Sequence, residues 1–196
     1  DAAEYFAYKS KLKGMISKIY HEIEGKFDFA VIEGAGSPAE INLKADDIVN
    51  MGMAEIADSP VLLVADIDRG GVFASIYGTV MLLDENERKR IKGIIINKFR
   101  GDKDILQTGV DDMERLVNIP IIGIVENMSY FLCPECKTKH NIFGVSGLEG
   151  IAGEFGIDTL SKLPVSSKLA GAADSGVIEL FEGDWLDNMA DKIEEL

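Results

Sequence analysis

The sequence predicts an α/β protein with a mostly parallel sheet flanked by helices on both faces, and three observations carry that reading. Short apolar runs alternate with helical stripes, the runs are strand-sized, and each is followed at once by polar and glycine residues. Of 196 residues, 46% are hydrophobic and 8% aromatic, which is the composition of a globular chain. That length suits a single α/β domain over 1–196.

Charge and cysteine usage bound the function. Asp plus Glu number 34 against 20 Lys plus Arg, so the formal net charge of −14 opposes nucleic acid or anionic lipid as a partner. No apolar run approaches the ~20 residues of a membrane span, and no secretory leader is evident, so the expected location is cytoplasmic. A chain starting at Asp1 rather than Met reads as a fragment. Its two cysteines, Cys133 and Cys136, read as a metal or redox pair rather than a disulfide framework.

The elements follow in order. Tyr5, Tyr8, Leu12, Met15, Ile16, Ile19 and Ile23 recur at three- and four-residue spacings, predicting a helix over 3–24 stopped at Gly25. Phe27 to Ile32 reads as a short strand, and 41–57 as turn material followed by a helical stripe through Ile48, Met51, Met53 and Ile56. Pro60 to Ala65 is almost wholly apolar, as in a parallel strand covered on both faces. A helix over 72–83 follows, then a second beginning at Asp84 with acids near its positive end. Further strands are expected over 93–96, 121–125 and, weakly, 159–163. Helices are expected over 110–117, around 148–155 with Gly156 as the stop, and over 184–195.

Ligands of such sheets sit outside the carboxyl ends of the strands, where this sequence places Glu33, Asp66 with Asp68, Asn97, and Glu126 with Asn127. Glu33 is a hard oxygen ligand suited to Mg²⁺, followed by Gly34 and Gly36, which let backbone approach a ligand closely. Asp66, Asp68, Arg69, Gly70 and Gly71 place two carboxylates, a cation and a Gly-Gly turn before a helix, although a helix cap explains Asp68 equally well. Asn97 offers a donor and an acceptor to a purine edge, and Lys98 and Arg100 supply positive charge for phosphate or carboxylate. From the residues alone, the ligand is anionic and nucleotide-like. No Gly-x-x-x-x-Gly-Lys-Ser/Thr phosphate loop occurs in the sequence.

Several runs resemble the cobyric acid synthase family over about 1–124. They are the Ala3–Lys9 segment, Val31-Ile32-Glu33-Gly34-Ala35-Gly36-Ser37-Pro38-Ala39-Glu40-Ile41-Asn42-Leu43, Asp47 to Gly52, Val64 to Ala74, and Ile96 to Asp102. That family uses a P-loop NTPase-like synthetase domain akin to dethiobiotin synthetase and MinD-like proteins. It activates side-chain carboxylates of a cobyrinic acid diamide as acyl phosphates, which ammonia converts to amides. The resemblance implies Mg-ATP as cofactor, Mg²⁺ at Glu33, and catalytic roles for Glu33, Asp66 and Asp68. It further implies a nucleotide contact at Asn97, with Lys98 and Arg100 beside it. The substrate and phosphate loops would be formed by Gly34, Gly36, Ser37, Glu40 and Asn42, and by Arg69, Gly70 and Gly71. The family's P-loop unit is expected to precede Asp1, and its glutaminase domain is absent from the sequence, so weak ATP binding and no use of glutamine are expected of this chain alone.

The tail, about 119–180, resembles Mrp-type iron–sulfur carrier ATPases. Gly123 to Phe131, Cys133-Pro134-Glu135-Cys136, His140, Ile142 to Gly144, Leu163 to Val165 and Asp174 to Gly176 carry this resemblance. It implies a labile iron–sulfur cluster bridged by the Cys133/Cys136 pairs of a homodimer, and a second base-reading asparagine at Asn127. Two thiolates supply half of a four-ligand shell, and with His140 the spacing also suits Zn²⁺. An unligated knuckle is the plain alternative. His21 reads as a solvated helical residue. The chain thus looks chimeric, joined near 119–125. Its leading reading is an ATP-dependent amidoligase fragment of cobalamin biosynthesis, expected to be inactive alone without the P-loop unit and the glutaminase domain. The rivals are a dimeric iron–sulfur or zinc carrier and a recombined scaffold without activity.

Overall fold

The computed structural model describes residues 2–42, 44, 47–100, 103–142 and 160–195. The helix expected near 148–155, like Leu43, Gly101 and Asp102, lies outside the described residues. The chain forms two compact units: residues 1–61 with 78–91, and residues 62–77 with 92–196. Among the described residues, no helix is long and apolar enough to cross a membrane.

In the first unit, α1 (Ala2–Glu24) packs on α2 (Met51–Ala57), with Lys13 Nζ 3.3 Å from Glu55 Oε2. The stripe expected to bury α1 stays partly open, since Met15, Ile19 and Ile23 are 52%, 48% and 42% exposed. Residues 27–35 have no regular structure, which corrects the strand expected over Phe27 to Ile32. Phe27, Phe29 and Val31 alternate as a strand would, yet they are exposed: alternation states a capacity, and a strand also needs a neighbour to pair with. α4 (Glu85–Arg90) starts on a capping box. Asp84 Oδ1 accepts from the N–H groups of Asn86 and Glu87, and Glu87 Oε2 accepts from Asp84 N–H. Lys44 Nζ donates to Glu87 Oε2 at 2.6 Å and lies 3.5 Å from Asp84 Oδ2, closing the cap from outside.

The sheet belongs to the second unit apart from the first residues of two strands. Its order is β1 (Val61–Asp66), β2 (Ile91–Asn97), β3 (Ile121–Leu132), β4 (Lys139–His140), with β5 (Leu160–Val165) also on β3. β2 and β5 each run parallel to β3, and β4 runs antiparallel to it. This is the mostly parallel α/β architecture the alternation predicts. Helix α3 (Val72–Leu82) follows β1 in the chain, and α5 (Lys103–Val117) connects the parallel strands β2 and β3. α5 begins well before the expected Val110. α6 (Ser167–Asp174), capped by Ser166 Oγ on Leu169 N–H, was not anticipated. The last helix, α7 (Asp187–Glu194), turns Met189 onto Ile95 and Ile122.

Burial centres on β2 and β3, where Ile94, Ile96 and Ile124 are 1% exposed or less. Such isoleucines suit a strand covered on both faces, because β-branched side chains pack densely on the pleat. β1 differs from expectation: it is at one end of the strand order, Ala65 alone is buried, and Val64 is 57% exposed. β3 runs seven residues past the expected Val125, to Leu132.

Candidate functional site: the carboxyl rim of the sheet

β1 and β2 end side by side, their carboxyl ends tied by Ile67 N–H donating to the Asn97 carbonyl at 3.2 Å. Asp66 closes β1 and Lys98 follows β2 at φ +62, a left-handed conformation that only a few per cent of non-glycine residues adopt. There, Lys98 Nζ donates to Asp66 Oδ2 at 2.8 Å. The other oxygen, Oδ1, accepts from Asp68 N–H at 2.9 Å. The Lys98 bond, followed by that backbone bond, holds the Asp66 carboxyl below its ordinary value of 3.8. Asp68 Oδ2 lies 3.8 Å from Arg100 Nη2, a looser pair across the same rim.

The rim therefore carries two carboxylates facing two cations, all roughly one-third to two-fifths exposed. Asn97 Oδ1 accepts from Lys98 N–H at 2.8 Å, so one of its lone pairs is already engaged. Gly70 and Gly71 have φ of +73 and +66, and the turn closes by Gly70 N–H on the Ile67 carbonyl at 3.0 Å before α3 begins. Arg69 is exposed on this turn, and its charge also lowers Asp66. The structure thus brings Asp66, Asp68, Lys98 and Arg100 together around the end of Asn97. These hard oxygens beside cations fit Mg²⁺ and phosphate oxygens.

Other expected site residues fall elsewhere. Glu33, Gly34, Gly36, Ser37, Glu40 and Asn42 lie in the first unit, in an exposed or half-buried loop. Gly36 has φ +69, and Ser37 Oγ accepts from Ala39 N–H at 3.2 Å. Asn127 lies within β3, two positions past Val125, the partner of Asn97, rather than at a strand end. Its neighbour Glu126 is 6% exposed, and its Oε2 makes no hydrogen bond. Sequence reasoning missed Asp47 and Asn50 as separate functional groups. Their signal was the Asp-x-x-Asn-x-Gly spacing, in which an acid three residues ahead can cap backbone N–H groups.

The cysteines occupy the turn of the β3–β4 hairpin, where Phe131 pairs with His140 and Leu132 with Lys139. Cys133 and Cys136 are both reduced, the first half-buried and the second exposed. Cys136 Sγ lies 3.3 Å from Thr138 Oγ1. That hydroxyl, then the Thr138 backbone, then Cys133 and His140, bring the Cys136 thiol down to about 6. Among the described residues, no three His, Cys, Asp or Glu side chains gather in a way that could hold a metal ion, so the pair supplies two donors only.

Comparison with known proteins finds likenesses to different families over the first two thirds of the chain and over its tail. Over 124 residues it is 65% identical to cobyric acid synthase of Alkaliphilus metalliredigens, covering 63% of this chain and 25% of that protein. The corresponding protein of Yersinia enterocolitica is 61% identical over 125 residues, covering 64% and 24%. That of Clostridium acetobutylicum is 61% identical over 124 residues, covering 63% and 25%. The chain therefore spans about a quarter of the length of these relatives. A solved nucleotide-binding protein in complex with ADP from Archaeoglobus fulgidus matches 56% of this chain and 44% of its own, at 24% identity and a TM-score of 0.44. The family model described as a NUBPL iron-transfer P-loop NTPase matches residues 107–195. The one described as an AAA domain matches residues 3–131, two thirds of the chain, and it is to this AAA domain family that the chain belongs.

Proposed function

We propose that the cobyric-acid-synthase-like part is the nucleotide-using portion of an ATP-dependent amidoligase of cobalamin biosynthesis. The observation that carries this is the Asp66–Lys98 bond of 2.8 Å on the rim of a parallel sheet, within the stretch similar to cobyric acid synthases. In the reaction, a carboxylate oxygen of a cobyrinic acid diamide attacks the γ-phosphorus of ATP, releasing ADP and forming an acyl phosphate. Ammonia then attacks the acyl carbon, phosphate leaves, and the amide nitrogen gives up a proton. The Asp66 and Asp68 carboxylates would hold Mg²⁺, which neutralises charge on the phosphates. Lys98 and Arg100 would turn from their carboxylates to the transferred phosphate. Asn97 would offer its amide to the base, and the Arg69–Gly71 turn its backbone to phosphate. Taken by itself, the first unit would offer Glu33 as a Mg²⁺ ligand and the Gly34–Asn42 loop as a contact for substrate and phosphate.

The test is ATP-dependent amide formation on cobyrinic acid a,c-diamide by this chain with the family's P-loop-bearing segment added back and ammonium chloride as the nitrogen source, monitored by mass spectrometry and ADP release. Amide and ADP should appear in equal amounts, and Asp66→Asn should lower the rate by about 100-fold, as loss of a charged group at developing phosphate charge does. Absence of both products, with no stabilisation by Mg-ATP, overturns the reading and favours an inert scaffold.

A second reading concerns the tail, which would bind a metal or iron–sulfur cluster through Cys133 and Cys136 as a homodimer. The lowered Cys136 thiol favours it, because the thiolate is the metal-binding form. Anaerobically purified protein should then be coloured or carry iron or zinc, and lose it on Cys136→Ser. A colourless, metal-free monomer would overturn it.

A further inference from the structure

The first unit secures its site loop with a side chain to which no role has been given. Asn50 Nδ2 donates to the Ala35 carbonyl at 2.8 Å and to the Ser37 carbonyl at 3.3 Å, while Oδ1 accepts from Ala35 N–H at 3.1 Å. One carboxamide thus grips the main chain on both sides of Gly36, the residue at φ +69. Asn50 is held in turn. Asp47 Oδ1 accepts from the N–H groups of Val49 and Asn50, and Oδ2 from Gly52 N–H, each at 2.9 Å. The approach leaves no room for a methyl group: a Cβ on Gly34 would stand 2.3 Å from Asn50 Oδ1, and one on Gly52 2.0 Å from the Asp47 carbonyl oxygen.

An exposed loop in irregular backbone gains little from burial, so its conformation must come from specific bonds. Only a group carrying both a donor and an acceptor can make this set. Aspartate is the same size as asparagine but, when ionised, has no donor for either carbonyl.

We propose that Asn50 is a positioning residue that holds the Glu33–Ser37 loop in its ligand-binding form, and that Asp47 holds Asn50 in place. The proposal rests on the reading that this loop serves Mg²⁺, phosphate and substrate. A preformed loop binds more tightly because its ordering cost is met before the ligand arrives.

The probe is Mg-ATP, its affinity measured by calorimetry on the wild-type chain and on Asn50→Asp, with circular dichroism as the check on fold. At about pH 8 the variant should bind about tenfold more weakly, as expected when charge-free hydrogen bonds give way to repulsion between a carboxylate and two carbonyls. Near pH 5 the substituted carboxyl, its pKa raised by the Ala35 and Ser37 carbonyls it would face, regains an O–H donor. The ratio of variant to wild-type affinity should then close to about threefold or less, a recovery that mere loss of packing would not show. Ionisation of ATP itself is common to both proteins and cancels in the ratio. Gly34→Ala, which drives a methyl against Asn50 Oδ1 and leaves α2 unaltered, should weaken binding as well and replaces the first variant if that one does not fold. If the wild type binds and either folded variant binds equally well at pH 8, the positioning role is overturned and the reading of the site stands. If the wild type does not bind Mg-ATP, both fall together.

Discussion

The two compact units hold their strand-end and loop residues by different means. In the second unit, hydrogen-bonded strands carry Asp66 and Asn97 to adjacent positions, and the fully buried Ile94 and Ile96 fix the strand that ends in Asn97. In the first unit, the Glu33–Ser37 loop is irregular backbone, and one carboxamide and one carboxylate take the place of a ladder. The contrast teaches that the rim is specified redundantly, by many apolar contacts, whereas the loop is specified by a few polar atoms. Each can fail without the other.

The largest expected effect breaks the redundant side. Ile96→Ala removes a side chain with no solvent exposure and should cost about 2–5 kcal/mol in urea denaturation. Ile41→Ala, at a residue 65% exposed in the first unit, should change stability by no more than about 0.5 kcal/mol. Gly52→Ala comes next, since its methyl would meet the Asp47 carbonyl oxygen at 2.0 Å. It should cost about 1–3 kcal/mol, whereas Gly14→Ala, with nothing within 4 Å, should stabilise α1 by up to about 1 kcal/mol.

The hairpin of the second unit offers a smaller case of polar specification. Thr138→Val should move the midpoint of Cys136 alkylation by iodoacetamide upward from about 6 toward the ordinary 9.0. The smallest effect concerns Asp66. Its pKa in the folded chain is below 3.8, so the stabilisation from Lys98 is fully present above that value and is lost only as pH falls through the lowered one. Lys98→Met should return the Asp66 carboxyl toward 3.8 in an NMR titration and leave stability at neutral pH little changed, as for an exposed pair.

Much of the second unit was legible because its apolar runs are both strand-sized and buried. Ile94 to Ile96 read as a strand for the reason they form one. The continuation of β3 through Leu132 was not legible, since Glu126, Asn127 and Ser129 interrupt the apolar pattern. Phe27, Phe29 and Val31 misled in the opposite direction, because periodicity reports what a segment can do and not whether a partner is beside it. At the site, the acids and glycines after each strand could be read directly from the sequence. The grip of Asn50 on Ala35, fifteen residues away, could not, because it depends on the turn that brings the two together. Nor could the left-handed Lys98, since the sequence shows a lysine there but not its backbone geometry.

The open stretch from Phe27 to Ile32 has a practical consequence. Six residues without proline, with Phe29 76% and Val31 98% exposed, are a template on which copies of the chain could stack as a cross-β seed. Asp28 within the stretch and Glu33 just beyond it act as gatekeepers against that outcome. Asp28→Asn is therefore expected to raise the tendency of the chain to associate at high concentration, as read by light scattering.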